Sequence, residues 1–147
     1  MYIKIDHNSG IPISAQMVDQ IKYLAVSGAL KGNDKIPSVR ALASELKLNP
    51  TTVARVYRQL EADEIIYTQR GSGTFIAPRR SALTKNEKER RLAGDIRKLV
   101  VEAGRMGMDF DDLMLLVCDE IEAIRGSQGK KHKPGKGKRE GKVNEHS

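Results

Sequence analysis

IPSVRALASELKLNPTTVARVYRQLEADEIIYTQRGSGTFI, residues 36–76, is the stretch whose reading decides the fold. Its first part is a helix: Ser38 is a natural N-cap, and Val39, Leu42, Ala43 and Leu46 recur at helical spacing. Asn49-Pro50 restarts the chain, with Asn49 as the cap and Pro50 at the first helical position, where a missing N–H costs nothing. In this second helix Val53, Val56, Tyr57 and Leu60 share one face and should pack inward. Thr51, Arg55 and Arg58 share the other, so a hydroxyl and two cations point outward together. The period then changes. Ile65, Ile66, Tyr67 and Thr68 are strand formers, as are Thr74, Phe75 and Ile76. Gln69-Arg70-Gly71-Ser72-Gly73 between them supplies the glycines that a hairpin tip needs.

Two helices followed by a ribbon is the layout of a winged helix-turn-helix, in which the second helix enters the DNA major groove. Residues 38–58 carry the cations Arg40, Lys47, Arg55 and Arg58 against the single anion Glu45. The alternative from the residues alone is a small α+β domain whose arginines keep it soluble.

Further pieces carry a resemblance. They are Pro12-Ile13 with Gln16 ahead of Ile21, Gly28-Ala29-Leu30-Lys31, Asp34-Lys35-Ile36-Pro37-Ser38-Val39-Arg40, Leu48-Asn49-Pro50-Thr51-Thr52-Val53 and Arg70-Gly71-Ser72-Gly73-Thr74-Phe75. Over residues 11–77 the chain resembles the DNA-binding domain of GntR-family bacterial transcription regulators, most of all the short YtrA-like branch. The resemblance implies that Ser38, Arg40, Asn49, Thr51, Thr52, Arg55, Arg58, Arg70, Gly71 and Gly73 face DNA. Arg55, which periodicity also turns outward, is the leading candidate for a base contact, because a guanidinium can donate to guanine O6 and N7 together. Arg40 should reach a base edge or a phosphate, and Arg58 a phosphate. Asn49, Thr51 and Thr52 should touch phosphates or bases, helped by free N–H groups at the helix N-terminus. Arg70, Gly71 and Gly73 should set the wing on the backbone or in the minor groove. Other branches often carry arginine where this chain has Pro50 and Ala54, so their base contacts do not transfer.

The 147 residues carry a net charge of +7, unevenly placed. Lys and Arg against Asp and Glu number nine against seven over residues 1–77, ten against ten over 78–126, and seven against two over 127–147. A DNA contact must therefore come from a local patch, not a general positive field. One cysteine excludes an internal disulfide; lying in the apolar run Leu113–Cys118, it is expected to be a buried small hydrophobe. Tyr2-Ile3-Lys4-Ile5-Asp6-His7 lacks the cationic start and apolar core of a signal peptide, and no apolar run approaches the ~20 residues of a membrane span, so a cytoplasmic protein without membrane contact is expected.

Outside the quoted stretch, residues 1–10 should form an edge strand or an arm. Pro12 should lead into a helix with Met17, Val18, Ile21, Leu24 and Ala25 on one face, ending near Gly28. Lys35-Ile36 could pair beside the wing. After Pro78, Thr84-Lys85-Asn86-Glu87 has the pattern of a capping box, opening a helix with Leu92, Ile96, Leu99, Val100 and Ala103 as its apolar stripe. Asp109 should cap a last helix with Phe110, Leu113, Met114, Leu116, Val117, Ile121 and Ile124 facing inward. Two such helices cannot bury these faces alone. The resemblance points to a homodimer with Leu92, Ile96, Leu99, Phe110, Leu113, Val117 and Ile121 in its interface, and so to an inverted-repeat operator.

The acids Asp109, Asp111, Asp112, Asp119, Glu120 and Glu122 suit capping and a solvated face better than a metal site, and no cofactor is expected. No catalytic set assembles either, since His132 and His146 lie in the tail and His7 has no partner at ligand spacing. The expected architecture is α+β, mainly α: a winged helix-turn-helix domain (1–77), a two-helix dimerisation region (78–126) and a disordered lysine-rich tail (127–147). The expected function, by resemblance, is sequence-specific regulation of transcription, as a repressor of a transporter-type operon. Residues 78–126 are too few for a deep ligand cavity in one subunit, which leaves an unknown small-molecule effector only a shallow site between subunits.

Overall fold

The computed structural model describes residues 1–79 and 83–129, and side chains as far as residue 127. Helix α1 spans Ile13–Val26, α2 Val39–Leu46, α3 Pro50–Ala62, α4 Lys85–Arg105 and α5 Phe110–Gly129. Strands β1 (Lys35–Ile36), β2 (Ile66–Gln69) and β3 (Gly73–Ile76) form an antiparallel sheet in the order β1-β3-β2. Strand β3 is the central one, with Lys35 opposite Phe75 on one side and Tyr67 opposite Phe75 on the other.

The start signals act as the sequence predicts. Ser38 Oγ accepts from the Ala41 N–H at 3.1 Å and Asn49 Oδ1 from the Thr51 N–H at 2.8 Å. Thr84 and Glu87 complete a capping box: Thr84 Oγ1 accepts from the Glu87 N–H at 3.3 Å, and Glu87 Oε2 accepts from the Thr84 N–H at 2.7 Å. These bonds hold the Glu87 carboxyl below its usual range. Asp109 Oδ1 accepts from the Asp111 N–H at 2.7 Å. The stops are less conventional. Lys47 (φ 55°) and Glu64 (φ 58°), not glycines, take the left-handed conformation after α2 and α3. The carbonyls so exposed are satisfied by the next N–H, Leu48 to Ala43 and Ile65 to Leu60, both at 2.9 Å.

One core cluster holds the winged unit together. Met17, Val18 and Ile21 of α1, Leu42 and Ala43 of α2, Val53, Val56, Tyr57 and Leu60 of α3, and Ile36, Ile66 and Ile76 of the sheet are all buried there. Each such side chain contributes roughly 1.5–3 kcal/mol by leaving water. The N-terminal residues form an arm, not a strand. Ile3 plugs into the core, and two glutamine side chains of α1 act as a surrogate strand. Gln20 pairs with both backbone groups of Lys4 at 2.7 and 2.9 Å, and Gln16 with both of Asp6 at 2.9 Å.

After β3 the Arg79 guanidinium donates to the carbonyl of Val26 at the end of α1. No described residue beyond Ile76 joins the core cluster. Helices α4 and α5 meet at a corner where only Ala103 and Leu113 are buried. Most of the apolar residues expected to face inward are open within one chain: Leu92 is 57% exposed, Ile96 56%, Phe110 56% and Met114 61%. Cys118 is exposed too, contrary to expectation. Residues Leu113 to Cys118 are all apolar, so the run by itself does not say which face is covered, and Leu113 at the corner takes that place. Helix α5 also runs on to Gly129, past the expected end at Gly126, with Ser127 Oγ donating to the Ala123 carbonyl at 3.0 Å. The rest of the lysine-rich tail lies outside the described residues. No described helix is long and apolar enough to cross a membrane.

Candidate nucleic-acid interface

A helix-turn-helix presents its second helix only if that helix is fixed from behind. The inner face of α3 is so fixed: Val53, Val56, Tyr57 and Leu60 are buried against α1, α2 and β2. Tyr57 adds a polar anchor, its hydroxyl donating to the Pro37 carbonyl at 2.6 Å, which ties α3 to the junction of β1 and α2. Burial, helped by the negative charge of Glu45, pushes the Tyr57 phenol up to about 12, so it stays a donor at all ordinary pH.

With that face inward, Thr51, Arg55 and Arg58 stand exposed on the other side of α3, and Thr52 is half-buried beside them. Ser38 and Arg40 are exposed at the start of α2, and Asn49 at the cap of α3. Among the described residues Arg40, Arg55, Arg58 and Arg70 have no ion-pair partner. Four solvated guanidiniums are thus left for an outside anion.

The α3 N-terminus differs from expectation in one respect. Its N–H groups are occupied: Pro50 has none, Thr51 donates to the Asn49 side chain, and Thr52 donates to the Asn49 carbonyl at 3.0 Å. What that end offers is the Thr51 hydroxyl and the Asn49 amide, not a nest of bare N–H groups.

The wing turns tightly, with the Ser72 N–H donating to the Gln69 carbonyl at 3.0 Å. Gly71 (φ 80°) and Gly73 (φ 126°) adopt angles that side-chain-bearing residues rarely take. Arg70, Gly71 and Ser72 lie exposed at the tip. Glu61, which periodicity did not single out, joins the wing to α3: its carboxylate accepts from the Thr68 N–H of β2 at 3.2 Å. A bond between a side chain and a backbone N–H seven residues on leaves no trace in hydrophobic spacing. Among the described residues no three His, Cys, Asp or Glu side chains gather as a metal site.

Comparison with known proteins fits this geometry. Residues 13–76 match the family described as bacterial regulatory proteins, gntR family. The HTH-type transcriptional repressor YtrA of Bacillus subtilis (strain 168) is 34% identical over 130 residues, covering 88% of this chain and 98% of that protein. A crystal structure from Listeria monocytogenes EGD-e, described as a transcriptional antiterminator, superposes with a TM-score of 0.76 at 30% identity, over 92% of this chain and 98% of that one. YtrA from Sulfolobus acidocaldarius, a GntR-family transcription factor, aligns with a TM-score of 0.50 at 30% identity, over 82% and 97%. These relatives are transcription regulators, not enzymes. The chain belongs to the GntR family of bacterial regulatory proteins, in its YtrA-like branch, and is a DNA-binding transcriptional regulator built on a winged helix-turn-helix.

Proposed function

We propose that this regulator binds an inverted-repeat operator as a homodimer and represses a transporter-type operon. The observation that carries the reading is the face of α3: Arg55 and Arg58 are exposed and unpaired, while the opposite face is locked in the core. Arg55 is assigned to a base edge and Arg58 to phosphate, with Thr51, Thr52, Asn49, Ser38 and Arg40 around them. Arg70, Gly71 and Gly73 carry the wing to the backbone. The name of the Bacillus subtilis relative supports repression, and the resemblance of the branch supports the transporter-type target.

Residues 78–126 are assigned to dimerisation. Leu92, Ile96, Leu99 and Ala103 recur at alternating steps of four and three, as do Phe110, Met114, Val117, Ile121 and Ile124. That is the seam of a coiled-coil-like interface, and most of it is open in the single chain. A second copy supplies the missing half. The site is expected to work in the cytoplasm, without a cofactor. Any small-molecule effector would sit between the two copies.

The test is binding to the duplex upstream of the protein's own gene beside a scrambled duplex, across a salt series. Tight, site-preferring binding by two chains per duplex supports the reading. Equal, steeply salt-dependent binding to both duplexes would instead mean that phosphate contacts dominate. A structured RNA partner is the second reading, favoured by the description of the Listeria structure as an antiterminator. Preference for RNA over duplex DNA in the same titration would select it.

A further inference from the structure

The outer face of the small sheet carries a cation that the helix-turn-helix pattern does not single out. Strand pairing sets Lys35, Phe75 and Tyr67 in one row across the three strands. Phe75 and Tyr67 stack at 5.4 Å, and the Tyr67 hydroxyl is bonded to Asn33 Oδ1 at 2.9 Å, so this row is firm. Lys35 does not extend straight into solvent from its place opposite Phe75. Its stem crosses β3 at Gly73. A Cβ added at Gly73 would lie 2.8 Å from Lys35 Cε and 3.5 Å from Nζ, so the lysine occupies the space that the glycine leaves empty. Gly73 is two residues nearer the wing tip than Phe75. The stem therefore lies beside Gly73, the residue at which β3 leaves the wing turn.

No carboxylate claims it. Lys35 is exposed and has no ion-pair partner among the described residues. Arranging a long side chain along the sheet and leaving its charge free suits an anion delivered from outside. Over residues 1–77 cations exceed anions only by nine to seven, so a single directed ammonium is a sizeable part of the local field.

We propose that Lys35, laid across Gly73, makes a phosphate contact beside the wing when the protein sits on duplex DNA. The lysine acts as a point charge on the backbone and reads no base. Gly73 has two roles in consequence: it turns the hairpin, and it opens the path for the lysine stem. The proposal rests on the DNA-binding reading above.

The test compares the full-length protein with Lys35→Gln and Lys35→Arg on the preferred duplex and on a scrambled one. Each of the two chains on the duplex loses one phosphate contact, so the slope of log K against log salt should flatten by about 1.8 and binding weaken about thirtyfold near 0.15 M salt, equally on both duplexes. Lys35→Arg should restore most of the slope. A Lys35→Gln protein with the wild-type slope overturns the Lys35 assignment and leaves DNA binding standing. A wild-type protein that binds neither duplex overturns the underlying reading and this proposal with it. An unchanged thermal unfolding curve for Lys35→Gln keeps a folding defect out of the comparison.

Discussion

The Tyr57 hydroxyl donates to the Pro37 carbonyl at 2.6 Å, joining the inner face of α3 to the residue that precedes the cap of α2. The contact fixes α3 from the side opposite Arg55 and Arg58. Tyr57→Phe leaves the carbonyl unpaired and should cost about 1 kcal/mol in chemical unfolding. The bond also has a pH signature. Burial raises the phenol from 10 to about 12, so the folded protein holds this proton more tightly than the unfolded chain does. The contribution is fully present below pH 10 and is lost as pH rises through about 12. Tyr57→Phe should lack that part of the alkaline loss; identical alkaline profiles would contradict the burial argument.

Arg55→Ala should cost about 1–3 kcal/mol per half-site on the preferred duplex and relax the sequence preference, because a base contact is lost from each chain. Arg58→Ala should instead weaken specific and scrambled duplexes alike and flatten the salt dependence. Competition titrations on both duplexes separate the two. Equal losses for Arg55→Ala on both sequences would remove it from the base-reading role.

Glu61→Ala removes the side-chain bond from α3 to the Thr68 N–H of β2 without touching any residue assigned to DNA. The expected result is a loss of affinity of about two- to fivefold, the scale of one exposed hydrogen bond, with the sequence preference kept. A shift in preferred sequence would mean that Glu61 lies at the DNA itself.

Ile96→Asp combined with Ile121→Asp places charge in the open seam of α4 and α5. In sedimentation the protein should run as a monomer, and it should bind a single half-site as well as it binds a full repeat. A dimeric double variant would place the interface elsewhere.

Asn49→Ala removes the cap of α3 and should lower stability by about 1 kcal/mol, read from the denaturation midpoint. An unchanged midpoint would mean that the Asn49–Thr51 bond adds nothing to the fold.

The winged unit was legible because its signals are local. Ser38 and Asn49-Pro50 mark helix starts by side-chain chemistry alone, as Thr84 does for α4 beyond the unit, and Val53, Val56, Tyr57 and Leu60 mark the buried face by period. The glycines at the wing and the strand formers around them placed β2 and β3. What escaped depends on contacts between distant residues. Gln16 and Gln20 clamp an arm that the sequence leaves between strand and coil. Lys47 and Glu64 end helices in a conformation that their side chains do not advertise. Cys118 was misplaced because a fully apolar run hides which side of α5 has a partner. The outward cations were readable from period, and Asn49 as a cap with Pro50 after it already implied that the first N–H groups of α3 are taken, so the expectation of free N–H groups there set aside a signal that the sequence carries.

The most direct test of the central claim is selection of duplexes from a random pool by the purified protein at physiological salt. The account predicts enrichment of an inverted repeat with two equivalent half-sites, and a changed or lost consensus when Arg55→Ala is used in the same selection. A pool that shows no sequence enrichment after repeated rounds, although the protein binds it, would contradict a regulator that reads its operator through α3.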